Sequence, residues 1–172
     1  MSNKILVTYA SRAGSTAGVA GAIGRTLAET GLQVELLPMH DVADLAPYRA
    51  VVAGSAIRGG KWLPEAMRFI QTNQVALIRK PCAVFLVCLT LAMGNGKYRQ
   101  EVAAWMEPVR QLLRPVSEGL FAGAMDTARL PWTPNELLMR GAVACGAFPR
   151  GDHRDWDAIH AWAANLRSLL RI

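Results

Sequence analysis

The stretch KILVTYASRAGSTAGVAGAIGRTL, residues 4–27, decides the fold. Its opening run, Lys4 to Tyr9, is apolar and β-branched, the composition of a strand. From Thr16 to Glu29 the spacing of Val19, Ala20, Ile23 and Leu27 is that of one helical face. Gly31 stands where a helix C′ glycine belongs. Between strand and helix lies SRAGST, Ser11 to Thr16. It is small, hydroxylated and broken by Gly14, so the chain turns sharply from an apolar strand end into a helix start.

The same alternation repeats outward. Gln33 to Leu37 reads as a second strand, Asp41 to Tyr48 as a polar connection, and Ala50 to Gly54 as a third strand. Leu63 to Ile78 reads as a helix with Pro64 in its first turn, where a missing N–H costs nothing. Ala83 to Leu91 (AVFLVCLTL) is a fourth strand. Tyr98 to Leu113 is a helix that contains Pro108, and Ser117 to Ala124 is a fifth strand. A final helix runs from Trp156 to Leu170, with Asp152 or Asp155 as its cap. Strands apolar on both faces and separated by helices predict an α/β, doubly wound, five-stranded parallel sheet covered on both sides, in one domain spanning residues 1–172. Met125 to Arg150 breaks the alternation. This late insertion combines Leu130, Trp132, Leu137, Leu138, Met139, Val143 and Phe148 with Arg129, Arg140 and Arg150.

Composition narrows the function. The 172 residues are 52% hydrophobic and 19% charged, as in a globular domain, with a net charge of +6. A basic balance points to anionic partners. There is no Lys/Arg block and no aromatic-interleaved basic motif, so nucleic acid is not expected. Cys82, Cys88 and Cys145 have no metal-ligand spacing and read as free thiols of a reducing compartment. The chain opens without a signal-peptide pattern. Its longest apolar stretch, Cys82 to Leu91, falls short of the about 20 residues that span a bilayer. These features predict a cytoplasmic protein.

In doubly wound sheets ligands bind beyond the carboxyl ends of the strands. Three loops leave those ends: residues 10–16, 55–62 and 90–97. The first offers hydroxyls from Ser11, Ser15 and Thr16, a close backbone approach at Gly14, and a helix N-terminus suited to an anion. It lacks the dinucleotide and P-loop glycine patterns. A second reading stays open, in which Ser15 or Thr16 is merely the helix cap. In the second loop, GSAIRGGKWLPE, Trp62 offers a stacking face and Arg58 a charge. The alternatives are a Trp62 packed on the next helix and a solvated Arg58. The third, LTLAMGNGKYR, carries Thr90 and a glycine-rich turn at residues 94–96, and can also be read as a plain surface turn.

SRAGST after the first strand resembles the flavodoxin phosphate loop S/T-x-T-G-x-T. Ser11, Gly14 and Thr16 match, Ala13 replaces a threonine, and Arg12 holds a variable position. YASRAGST, GSAIRGGKWLPE, GLFAGAMD and DWDAIHAWA together resemble the flavodoxin-domain family, in particular the subgroup of the bacterial menaquinone-dependent protoporphyrinogen IX dehydrogenase. The family element P-R-Y-x-W is echoed at residues 128–132. The resemblance implies FMN as cofactor. It implies a binding site made of Ser11, Arg12, Ala13, Gly14, Ser15, Thr16, Ala56, Ile57, Arg58, Trp62, Thr90, Leu91, Ala92 and Met93. The loop around Arg58 and Trp62 would lie beside the isoalloxazine ring, and residues 90–93 would meet its pyrimidine edge.

With the chemistry on FMN, no catalytic side chain is expected. His40, His153 and His160 are scattered, Cys88 reads as core, and the carboxylates of Glu101, Glu107, Asp126 and Asp157 form no acid–base pair. Asp126, at the end of the fifth strand, is a further contact candidate. The function classes implied are an FMN-dependent oxidoreductase, an electron-carrying flavodoxin, or a flavodoxin-fold protein without flavin. The basic charge weighs against the carrier, because short-chain flavodoxins are usually acidic. Implied partners are a small-molecule electron donor or acceptor, such as a quinone or porphyrinogen. The insertion has three readings: an amphipathic segment at the inner face of the membrane, a flap folded over the pocket, or a homodimer interface.

Overall fold

The computed structural model describes residues 4–94, 96–126, 128 and 132–170. In chain order the elements are β1 (Lys4–Ala10), α1 (Ser15–Glu29), β2 (Gln33–Pro38), β3 (Ala50–Arg58), β4 (Lys61–Trp62), α2 (Pro64–Thr72), α3 (Gln74–Ile78), β5 (Cys82–Cys88), α4 (Arg99–Ala104), α5 (Glu107–Leu112), β6 (Ser117–Ala122), β7 (Ala124–Met125), α6 (Pro134–Ala144), β8 (Gly151–Asp152) and α7 (Trp156–Leu169). Five strands pair in parallel in the order β2-β1-β3-β5-β6. This is the doubly wound arrangement that the alternation predicts. Order reverses at β1 and β3, so the loops after these two strands diverge and leave a crevice between them.

The strand pleat divides the core into two layers. On one face Leu6, Val51, Val84 and Leu86 pack with Phe69, Ile70, Val102 and Met106. On the other, Ile5, Val7, Val52 and Phe85 pack with Ile23 and Leu27 of α1 and Ile159 and Leu166 of α7. Successive residues of β1 thus serve opposite layers, as a period of two requires. Ile23 and Leu27 are fully buried, each contributing roughly 1.5–3 kcal/mol of transfer free energy.

Four expectations need correction. The helix foreseen over 63–78 is two helices. Asn73 turns its side-chain amide back to the Phe69 carbonyl (2.9 Å), which its own backbone N–H also approaches (3.1 Å), so the side chain competes with the next helical bond. The helix over 98–113 also divides, because Pro108 has no N–H to continue α4 and sits instead in the first turn of α5. The third strand continues past Gly54 to Arg58, and Gly59 and Gly60, both at positive φ (56° and 72°), return it as a hairpin with β4. Two residues at positive φ make the turn that fits strand twist. The fourth strand ends at Cys88, and Thr90–Ala92 form a 3-10 turn.

The insertion folds into β7, α6 and β8, with β7 and β8 antiparallel. Arg129, Leu130 and Pro131, the centre of the echoed family element, lie outside the described residues, as does Asn95 of the third loop. Among the described residues no helix is long and apolar enough to cross a membrane.

Candidate functional site

At the carboxyl end of β1 the backbone of SRAGST folds on itself: the Gly14 N–H donates to Ser11 Oγ at 3.1 Å. Gly14 has φ 85° and is the N-cap of α1, so the position is left-handed and favours glycine. No side chain caps this helix. The cap reading of Ser15 is therefore corrected: Ser15 Oγ accepts the Ala124 N–H at 2.8 Å and ties the loop to β7. The leading N–H groups of α1, which have no intrahelical acceptor, face the loop without a side-chain cap or a first-turn acid.

Arg12 is committed to a carboxylate. Its guanidinium grips Glu65 with two contacts, 2.9 and 3.0 Å, and so ties the first loop to the first turn of α2. Ala13, where the family pattern has threonine, packs with Leu89, Met139 and Phe148 against buried Met125 and Val143. A methyl group suits that contact. The insertion lays an apolar surface on this position.

The second loop rearranges two expectations. Trp62 is 5% exposed and belongs to the core, its Nε1–H donating to the Trp105 carbonyl at 3.1 Å. The tryptophan that reaches the cleft is Trp105. It lies beside Gly60, where a Cβ would come within 3.2 Å of the indole nitrogen. Arg58 is partly buried, and its Nη1 donates to Glu136 Oε2 of α6 at 2.9 Å. Its charge is thus paired with a carboxylate of the protein, where the sequence left it as a charge for a ligand or a solvated side chain. Buried Ser55, which the sequence did not single out, holds the loop by accepting the Leu63 N–H and donating to the Ala56 carbonyl.

These parts enclose a cleft of about 410 Å³. Of the candidate residues, Ser11, Arg12, Ala13, Ser15, Thr16, Ala56, Ile57, Arg58, Thr90 and Met93 line it. Tyr98, Glu101 and Trp105 form the wall from the α4 side, and Met125, Met139 and Phe148 the wall from the insertion. Tyr98, Glu101 and Trp105 are spaced as one helical stripe, the signal in the sequence that marks this wall. Gly14 lies in an adjoining cleft with Asp126, Arg150 and Arg154, and the two clefts share Ala13, Ser15, Ala124 and Met125. Leu91 packs on the core; neither it nor Ala92 is on a wall of either cleft. Cys88 lines the cleft, but burial pushes its thiol up to about 11, so it is protonated at neutral pH.

A model of the flavodoxin domain matches residues 6–140. The chain belongs to the flavodoxin-domain family. Curated relatives of this family member include the protoporphyrinogen IX dehydrogenase (quinone) of Escherichia coli strain K12, 22% identical with 96% of each chain covered. A solved flavodoxin from the domain Archaea shares the fold with a TM-score of 0.58 and 19% identity, covering 98% of this chain and 99% of the other. Two-electron reduced Megasphaera elsdenii flavodoxin matches with a TM-score of 0.57 and 16% identity, covering 94% and 98%.

Proposed function

We propose that the cleft binds FMN and that the protein is an FMN-dependent oxidoreductase. The observation that carries this reading is the α1 end: an uncapped helix N-terminus behind Gly14 at φ 85°, opening into a cleft of mononucleotide size. The residues fit the group. Gly14 lets backbone approach a phosphate where a side chain would strain the turn. Gly60 leaves room for the Trp105 ring, and hydroxyls from Ser11, Ser15 and Thr16 border the loop. Bound there, FMN would supply the hydride and electron chemistry.

The chain's own residues bind, orient and exclude water. The α1 amides and the Ser11 and Thr16 hydroxyls would hold the phosphate. Trp105 and Tyr98 offer aromatic faces on one side of the cleft. Thr90 and the adjacent backbone border the end of β5. Met139 and Phe148 dry the opposite side, which strengthens every polar contact within.

The 22% identical dehydrogenase supports a porphyrinogen or quinone as the small-molecule reactant. A second reading, an electron-carrying flavodoxin, is favoured by the structural neighbours. Against it stand the charge of +6 and the extra wall from the insertion, which a bare carrier does not need. Trp132, Leu137 and Leu138 stay exposed around α6, with Arg140 over the Trp132 ring at 4.5 Å. They support peripheral contact with an anionic membrane face. Co-sedimentation with anionic liposomes tests that contact, and no binding at low salt removes it.

The deciding experiment is the flavin content of the protein as isolated. A yellow protein that releases FMN on heating is expected; a colourless protein that refuses added FMN sinks the proposal. Turnover of protoporphyrinogen with a quinone then separates enzyme from carrier.

A further inference from the structure

Glu136 is 8% exposed, at the third position of α6. Its N–H donates to Thr133 Oγ1 in the T-x-x-E pattern of a capping box. Its carboxylate nevertheless reaches across the cleft mouth to Arg58. The helix is also finished at its other end by its own chain. The Gly146 N–H bonds the Val143 carbonyl and the Ala147 N–H the Ala142 carbonyl, with Gly146 at φ 81°. Both ends of α6 are thus satisfied internally, so it can shift as one body without orphaning backbone groups.

Two contacts among the described residues join α6 to the rest of the domain at the cleft. A small apolar cluster around Met125 and Val143 includes Met139, Phe148, Ala13 and Leu89. Beside it stands the Arg58–Glu136 pair. Leu137 and Leu138 face outward. A carboxylate this buried is tolerated only while paired; unpaired, it must reach water. Outward movement of α6 would give Glu136 a route to water, and Met139, on the same helix and in the cleft lining, would move with it.

We propose that Glu136 is a positioning residue: through Arg58 it latches α6 as the removable wall of the cleft, and release of that latch opens the cleft to reactants. The role of the opened cleft rests on the FMN reading above; the latch itself does not.

Hydrogen exchange of the α6 amides, measured on the full chain without added flavin, tests it. Arg58→Gln is expected to speed exchange across residues 135–146 by about fivefold or more, leaving α7 unchanged. The reversed pair, Arg58→Glu with Glu136→Arg, is expected to restore slow exchange. Unchanged α6 exchange, equal acceleration in α7, or no recovery in the reversed pair would each overturn the latch. FMN is the second probe. If the wild type binds it, Glu136→Gln should release it about fivefold faster or more, and an unchanged release rate overturns the gating role. If the wild type binds no FMN, the FMN reading fails, while the exchange result still judges the latch.

Discussion

Gly54 and Phe85 stand opposite each other on β3 and β5, and the Phe85 ring fills the space a side chain at Gly54 would need. Phe85 is fully buried and packs at 6.3 Å from Phe121 and 6.2 Å from Trp162. The ring therefore has nowhere to go. Gly54→Ala is expected to destabilise the fold by about 3 kcal/mol, through overpacking against a ring held on several sides. In a domain of this size that lowers the thermal midpoint by roughly 6–12 °C. A calorimetric scan checks it, and a shift below about 2 °C would show that the ring moves freely.

Gly14 joins backbone strain to ligand affinity. Gly14→Val forces a β-branched residue to φ 85°, at a cost of about 1–3 kcal/mol. It also places methyl groups where a phosphate would approach. The expected outcome is FMN affinity weakened by about tenfold or more, beside the loss of stability from the strain. Flavin fluorescence titration beside a urea melt separates the two; full affinity would refute the loop's role.

Trp62 and Trp105 make a paired comparison. Trp105→Ala should weaken FMN binding by about tenfold, because its ring lines the cleft, and also lower stability, because the ring packs on the core. Trp62→Phe keeps most of the buried ring but leaves the Trp105 carbonyl without its 3.1 Å donor, costing about 1–2 kcal/mol of stability with little effect on affinity. The reverse pattern would restore Trp62 as the stacking residue.

The thiols should separate cleanly. Burial raises Cys82 to about 12 and Cys88 to about 11, whereas Cys145 is exposed. At pH 8 the native protein is expected to alkylate at Cys145 alone, and all three cysteines should react after unfolding. Mass spectrometry of modified peptides reads the result. Rapid native labelling of Cys88 would mean that the cleft wall opens far more readily than its packing implies.

Tyr48 gives the fold an alkaline limit. Burial, and then donation to the Glu35 carboxylate at 2.7 Å, raise its phenol to about 12. The unfolded phenol titrates at about 10. The folded pKa is the higher one, so the contribution is fully present below pH 10 and is lost as pH rises through about 12. The stability difference between wild type and Tyr48→Phe should be constant up to about pH 10 and shrink above it. Urea midpoints across that range check the sign.

Much of this arrangement was legible in the chain, for physical reasons. β5 is buried at every residue, and only a strand covered on both faces shows such an unbroken apolar run. SRAGST was legible because a turn that needs a left-handed residue leaves a glycine behind. Trp62 misled because an indole in a ligand-side loop and an indole under that loop look alike in sequence. The choice is made by the Gly59–Gly60 hairpin, which points residue 62 inward. The Arg58–Glu136 pair was not legible, since its partners lie 78 positions apart and each alone reads as an ordinary surface charge. Ala13 looked like a missing hydroxyl until the insertion's apolar surface was seen against it.

The hairpin of β7 and β8 has one more consequence. Ala124 pairs with Asp152, Met125 pairs with Gly151, and the His153 N–H donates to the Gly123 carbonyl at 3.2 Å. The chain thus leaves the sheet and returns to it through a single doorway. The described residues between 126 and 150 are carried between these two strands as a cassette. Replacing it with a two-residue Asn-Gly turn should leave a bare five-stranded domain that still folds. Cassettes from related chains could then be exchanged at the same two strands, which tests whether the reactant follows the cassette while the proposed FMN binding stays with SRAGST.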